Sequence, residues 1–151
     1  IIIWALSESK KGNIKDFYIP TSKKEEILEI ISENDNDFKY HLDRFKYSAR
    51  FNASEEDFHF MEAAKYIKKW NKKLTNSRWL IGDKPSIADW CIWPFVRQFK
   101  IACESQKKTS YLDAPIKEWL DYFEKHLYIK KLMHKYDPWE TPSKKDYFPF
   151  N

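Results

Sequence analysis

Apolar residues recur every three to four positions along three long stretches of the chain, the spacing of a helix face that packs into a core. We predict a first helix from Thr21 or Ser22, one of which would cap it, to about Tyr47, with a bend in the polar tract of residues 34–37. A second helix is expected after the capping sequence of residues 54–57, and a third from Pro115. The three apolar stripes are Ile27, Ile31, Phe38, Leu42 and Phe45, then Phe60, Ala63, Ile67, Trp70 and Leu74, then Ile116, Trp119, Leu120, Phe123 and Leu127.

A fourth segment, residues 80–99, has the sharpest helix start and the most continuously apolar sequence. After a Gly-Asp turn, Ser86 and Asp89 fit the capping-box pattern, in which the hydroxyl accepts from the N–H of Asp89 and the carboxylate accepts from the N–H of Ser86. The following residues leave no polar face for three turns, so we predict a helix buried in the middle of the protein and kinked at Pro94. The apolar run is too short to cross a membrane.

Together these elements predict an all-α fold, a bundle of about five to six helices around the buried central helix. A last short helix is expected at residues 129–136, and residues 1–6 are expected to belong to a helix whose start is missing from the sequence. Residues 137–151 contain three prolines and are expected to run as an extended tail along the bundle. We therefore predict one domain, residues 1–151.

Composition narrows the classes of function. Two glycines among 151 residues argue against glycine-rich phosphate loops, and a net charge of +4 spread along the chain gives no reason to expect nucleic acid as a partner. Cys91 and Cys103 fall on one predicted helix, roughly 18 Å apart, which is too far for a disulfide. Such thiols are typical of a reducing compartment, so we expect a cytoplasmic protein without a membrane partner.

Side chains with catalytic or metal-binding chemistry are scattered along the chain. The four histidines have no metal-ligand spacing and the two cysteines form no CxxC motif, so no metal is expected, and no catalytic constellation is recognisable. Asp35-Asn36-Asp37 begins like a calcium loop, but the required glycine is absent and Lys46 stands where the last carboxylate belongs. A solvated turn of helix is the better interpretation of this tract.

Two features leave alternatives open. Arg97 and Gln98 are the first polar pair after the apolar run, where the helix emerges into solvent, or Arg97 pairs with a carboxylate such as Asp43, or both residues contact a ligand. The five lysines within residues 65–73 form either a solvated face, which is the commoner case, or a phosphate-binding site.

The segment around the predicted capping box resembles the C-terminal helical domain of glutathione S-transferases. Members of that family carry a glycine-containing turn, a Ser or Thr cap with Asp three residues later and a buried central helix, which correspond here to Leu80, Gly82, Ser86 and Asp89. The segments PSIADWCIWPFVRQF and IKEWLDYF are similar to those of an uncharacterised bacterial branch of the family. The resemblance extends over residues 1–139, and Pro85 departs from it at a position that is usually aliphatic.

The resemblance implies glutathione conjugation or a related thiol reaction, either peroxide reduction or disulfide exchange. Glutathione would be the co-substrate, bound mainly by an N-terminal thioredoxin-like domain that is absent from this sequence. That domain would also supply the catalytic residue, so none is expected here and the chain alone should be inactive. The helical domain would contribute part of a homodimer interface and one wall of the pocket for a small electrophilic substrate. By similarity, the wall residues are Asp35, Asn36, Arg97 and Gln98.

A second interpretation is a non-catalytic protein-interaction module, because the same fold also serves that role. Its support in the sequence is the basic run of residues 65–73.

Overall fold

The computed structural model of the protein describes Trp4, Glu8 and residues 19–133, and every regular element within this part of the chain is helical. The all-α fold class is therefore confirmed. The α-helices are α1 (Lys24–Glu33), α2 (Lys39–Lys46), α3 (Glu56–Asn76), α4 (Ile87–Ser105), α5 (Ala114–Lys125) and α6 (Leu127–Leu132). Short 3₁₀ turns occupy Thr21–Lys23, Ser48–Arg50 and Ala53–Glu55.

Helices α1 and α2 are joined without a break by one π-helical turn, Asn34–Phe38. The predicted long helix is thus confirmed as continuous, and the polar tract where a bend was expected forms a π turn. The tract is not fully solvated as expected, because the side chain of Asn34 is completely buried while the next three residues are exposed. A π turn holds one residue more than an α turn, which shifts the buried face of the helix along the sequence.

The helix caps predicted at Thr21 or Ser22 and at residues 54–57 are wrong in detail. The first helix begins through the 3₁₀ turn Thr21–Lys23, and no side chain there caps it. Ahead of α3, the Oδ1 atom of Asn52 accepts from the N–H of Ser54 at 3.2 Å and from its hydroxyl at 2.8 Å. Asn52 therefore caps the 3₁₀ turn Ala53–Glu55 that leads into α3, two positions before the predicted cap, and no side chain caps α3 itself.

Helix α4 lies in the middle of the bundle and contacts α1, α2 and α5. The predicted stripe of α3 is buried along its whole length and joins α4 in an aromatic core. In that core Phe38 lies 4.9 Å from Trp70 and 6.0 Å from Phe99, measured between ring centroids. The burial of these large side chains from several helices supplies the main force that holds the bundle together.

The carboxylate of Asp89, in the first turn of α4, is completely buried and joins three elements. It accepts from the N–H of Ser86 and from its hydroxyl, both at 2.8 Å. It also accepts from the N–H of Leu80, in the preceding loop, and from the indole Nε1 of Trp119, on α5, both at 2.9 Å. Burial raises the pKa of the Asp89 carboxyl, and these hydrogen bonds oppose that rise.

The turn ahead of α4 and the start of α5 agree with the predictions, whereas the bounds of the last helix differ. Gly82 has a φ of +74°, which explains glycine in the predicted turn. Pro115 lies at the start of α5 as predicted. Helix α6 begins at Leu127 and ends at Leu132, earlier at both ends than predicted. The predictions for residues 1–3, 5–7 and 134–151, including the extended tail, lie outside the described residues, and the single-domain assignment stays a prediction.

Candidate functional site

Helix α4 presents a half-buried face to the first helix along a line that we call the seam. The seam consists of Asp35, Lys39 and Lys46 on the first helix and Cys91, Phe95 and Gln98 on α4. The three residues of the first helix are four and seven positions apart, and those of α4 are four and three positions apart. Helical spacing therefore puts the three residues of each helix on one side. Two cross-helix contacts, Lys39 with Phe95 and Lys46 with Gln98, and the electrostatic effect of Asp35 on Cys91 follow in the same order along both helices. The helices therefore run in the same direction at the seam.

The interactions across the seam differ in their chemistry. The Nζ of Lys39 lies 5.5 Å from the centroid of the Phe95 ring, within the range of a cation–π contact. The Nζ of Lys46 donates to Oε1 of Gln98 at 2.7 Å. Burial, assisted by the negative charge of Asp35, raises the pKa of the Cys91 thiol to about 11. The seam thus offers a cation beside an aromatic ring, but its thiol is protonated at neutral pH and is a poor nucleophile.

Two of the four residues proposed as pocket wall lie on the seam, and the other two do not. Asp35 and Gln98 belong to the seam as defined above. The Nδ2 of Asn36 donates to the hydroxyl of Ser32 within its own helix at 3.0 Å. The Nε of Arg97 lies 3.4 Å from Oε1 of Glu124 on α5, so this guanidinium pairs with a different carboxylate from the Asp43 suggested by the sequence.

Lys39 and Phe95 were not identified by sequence reasoning. Each stands four positions after another seam residue, Asp35 or Cys91, and a search for polar or aromatic residues at that spacing could have found them. The sequence could not show that the two helix faces meet, because that depends on how α4 rotates against its neighbours.

A second surface feature lies where α2 packs against α3. Tyr40, Phe51 and Phe58 are 46%, 53% and 56% exposed, and we call them the aromatic face. The guanidinium of Arg44 lies 3.5 Å from the ring centroid of Tyr40 and 4.7 Å from that of Phe51. Exposed aromatic residues around an arginine are enriched at protein–protein interfaces.

A pair of histidines lies beside the aromatic face. The Nδ1 atoms of His41 and His59 are 2.9 Å apart, and the ring of His41 packs edge-on against Phe58 with 5.9 Å between centroids. Burial, followed by the neighbouring His59, lowers the pKa of His41 below its ordinary value. At this separation one Nδ1 must donate and the other must accept, so a single proton lies between the two nitrogens.

The basic run on α3 is largely engaged by acidic and aromatic neighbours. Lys65 pairs with Glu62, Lys69 with Glu33, and Lys73 with Glu26 at N–O distances of 2.5, 2.5 and 3.2 Å. The Nζ of Lys68 lies 4.1 Å from the ring centroid of Tyr111. These contacts neutralise much of the run, which weakens the case for a phosphate-binding site. They also weaken the one sequence feature that favoured an interaction module.

Two further properties concern metal binding and membrane insertion in the described part of the chain. Among the described residues, no three or more His, Cys, Asp or Glu side chains are grouped so that they could hold a metal ion. No helix in the same part of the chain combines the length and apolar character needed to span a membrane.

Comparison with known protein families identifies the chain. Residues 52–139 match the family described as glutathione S-transferase, C-terminal domain. Because the match covers more than half of the chain, the protein belongs to this family, as the sequence resemblance predicted. No curated protein and no solved structure matches the chain significantly.

Proposed function

We propose that the chain is the C-terminal domain of a cytoplasmic, dimeric glutathione S-transferase-like enzyme, in which the seam forms one wall of the pocket for a small electrophile. The observation that carries this proposal is the position of Lys39 beside the Phe95 ring. An electron-poor aromatic substrate can stack on Phe95, and the lysine cation can stabilise negative charge that develops on the substrate. We assign the binding and activation of glutathione to a domain outside this chain.

In the proposed reaction, one domain activates glutathione and this chain binds the electrophile, which is an aryl halide in the assay below. The glutathione thiolate attacks a ring carbon of the electrophile, the new C–S bond forms, negative charge spreads over the ring, and the halide then leaves. Within the described chain, the nearest thiol to this step is Cys91, and its pKa of about 11 disfavours it as a substitute nucleophile. The role of this chain is therefore to position the electrophile and to stabilise charge.

An activity assay tests the division of labour. Incubated with glutathione and 1-chloro-2,4-dinitrobenzene, the chain alone is expected to give no rate above the uncatalysed reaction. Measurable turnover would overturn the assignment of glutathione activation to another domain.

A binding assay tests the wall itself. We expect the product, S-(2,4-dinitrophenyl)glutathione, to cause saturable NMR shifts on the seam, and we expect Phe95→Ala and Lys39→Ala each to weaken this binding about fivefold or more. Ile101→Ala and Lys72→Ala are the matched controls, since both residues are exposed and lie off the seam. Equal losses in the controls, or shifts that avoid the seam, would contradict the proposal.

For the dimer, we propose that the aromatic face is part of the contact between two copies. The support is its exposed aromatic residues and the arginine that packs on two of them. Phe58→Glu is expected to convert a dimer to a monomer in sedimentation experiments, whereas Tyr128→Glu, at another exposed aromatic residue, should leave the dimer intact. A dimer that survives Phe58→Glu would remove this face from the interface.

The cytoplasmic assignment rests on the two cysteines. Both are free thiols in the structure, and Cys103 is completely buried. Proteins of oxidising compartments more often use cysteines in disulfides.

A further inference from the structure

A pocket of about 450 Å³ lies between the end of α3, the loop that follows it and the first half of α5. It shares no residue with the seam or the aromatic face. Its volume is within the range of roughly 300–1,000 Å³ that is usual for small-molecule sites. The residues that carry the argument below are Arg78, Trp79, Glu118, Trp119 and Tyr122.

Contacts within the protein already hold the aromatic wall of this pocket in place. The indole Nε1 of Trp119 donates to the buried Asp89 at 2.9 Å, which fixes the ring. Trp79 packs edge-on against Tyr122, with 4.8 Å between centroids and 82° between planes. Trp79 and Trp119 are only 5% and 3% exposed, so their rotamers are set by the fold. A preorganised wall lowers the entropic cost of binding.

The rim of the pocket carries one positive and one negative side chain. The guanidinium of Arg78 lies 5.4 Å from the ring centroid of Trp79 and 5.9 Å from that of Tyr122, so its charge is close to the aromatic wall. The negative side chain is Glu118. Neither Arg78 nor Glu118 forms an ion pair within the described part of the chain. Both charges are therefore available to a ligand.

We propose that this pocket binds a small zwitterion with a flat apolar group, of the chemical class of an aromatic α-amino acid. The ligand carboxylate pairs with the guanidinium fork of Arg78, and its ammonium group pairs with the carboxylate of Glu118. Its ring packs on Tyr122, the half-buried aromatic residue of the wall. A simple anion would meet the negative charge of Glu118, and a simple cation would meet the positive charge of Arg78. A zwitterion satisfies both charges, which is why we prefer it.

The test compares three probes that share a phenyl ring and differ in charge. The indole N–H signals of Trp79 and Trp119 in the ¹⁵N-labelled chain are followed during titration with L-phenylalanine, phenethylamine and 3-phenylpropionate. L-Phenylalanine is expected to give saturable shifts below about 10 mM, and each of the other two to bind about fivefold more weakly or worse. The absence of saturable shifts with L-phenylalanine, or equal affinity for the three probes, would overturn the proposal.

Charge variants make the assignment of each group specific. Arg78→Met should reduce the affinity for L-phenylalanine about fivefold and leave the affinity for phenethylamine undiminished. Glu118→Gln should also reduce the affinity for L-phenylalanine about fivefold, but should leave the affinity for 3-phenylpropionate undiminished. Arg50→Met and Glu29→Gln are the controls, since both residues are exposed and lie outside the pocket. Because Arg78 and Glu118 are also exposed, their variants should fold. Affinities that are indifferent to both rim variants would overturn the proposal, whatever the outcome of the electrophile and dimer tests.

Discussion

The indole Nε1 of Trp119 donates a hydrogen bond of 2.9 Å to the carboxylate of Asp89, and this contact ties α5 to the first turn of α4. The other oxygen of the same carboxylate accepts from the N–H and the hydroxyl of Ser86. A residue that would ordinarily serve one helix start is therefore shared by two helices and a loop. Its removal should affect the whole bundle rather than a single cap.

The first prediction concerns the relative cost of losing Asp89 and Ser86. Asp89→Ala should lower the free energy of unfolding by about 3 kcal/mol or more, because the buried N–H groups of Leu80 and Trp119 lose their acceptor. Ser86→Ala removes one hydroxyl and should cost about 1 kcal/mol, as a capping residue typically does. Urea denaturation measures both values, and Asp83→Ala, at an exposed aspartate in the same loop, is the control. If Asp89→Ala costs no more than Asp83→Ala, the carboxylate does not stabilise the fold.

The second prediction isolates the contact between α4 and α5. A double-mutant cycle of Asp89→Ala and Trp119→Phe should give a coupling energy of about 1–2 kcal/mol, since the first change removes the acceptor and the second removes the donor of the same hydrogen bond. The cycle is measured by urea denaturation of the four proteins. Additive losses would mean that the bond seen in the structure contributes nothing of its own.

The third prediction concerns acid sensitivity at the histidine pair. Burial and His59 hold the pKa of His41 below its ordinary value of 6.5, although the carboxylates of Glu62 and Asp37 act in the opposite direction. The unfolded chain therefore binds more protons than the folded chain as the pH falls below 6.5. The free energy of unfolding should fall with pH in that window and level off below the folded-state pKa.

Stability measurements between about pH 5 and pH 8 test this dependence. His41→Gln should flatten the curve, because the group that takes up the extra proton is gone. A pH dependence that survives His41→Gln would assign the acid sensitivity to other groups.

The fourth prediction concerns the two thiols. Burial raises the pKa of Cys91 to about 11 and that of Cys103 to about 12. At pH 7.5 their alkylation by iodoacetamide should be roughly a hundredfold slower than that of free cysteine, because very little thiolate is present. Mass spectrometry of the Cys91→Ser and Cys103→Ser variants follows each thiol separately, and Cys91 should react first since it is the more exposed. Alkylation of either thiol at the rate of free cysteine would contradict the raised pKa.

The sequence by itself determined the helices and most of the core, because the spacing of apolar residues follows directly from helix geometry. The stripe from Phe60 to Leu74 and the apolar surroundings of Ser86 identified α3 and α4 without knowledge of their neighbours. The same local signals also led to the family that the comparison then confirmed.

Only the tertiary structure decided what the polar residues contact. A partner of Asp89 thirty positions away, Trp119, leaves no mark in local spacing, and neither does the pairing of Lys39 with Phe95. Arg97 and Gln98 are neighbours in sequence, yet helix geometry turns them about 100° apart, so that they face α5 and α2 respectively. Such contacts depend on how helices rotate and pack against one another, and the packing of a whole bundle is a property of all its side chains together.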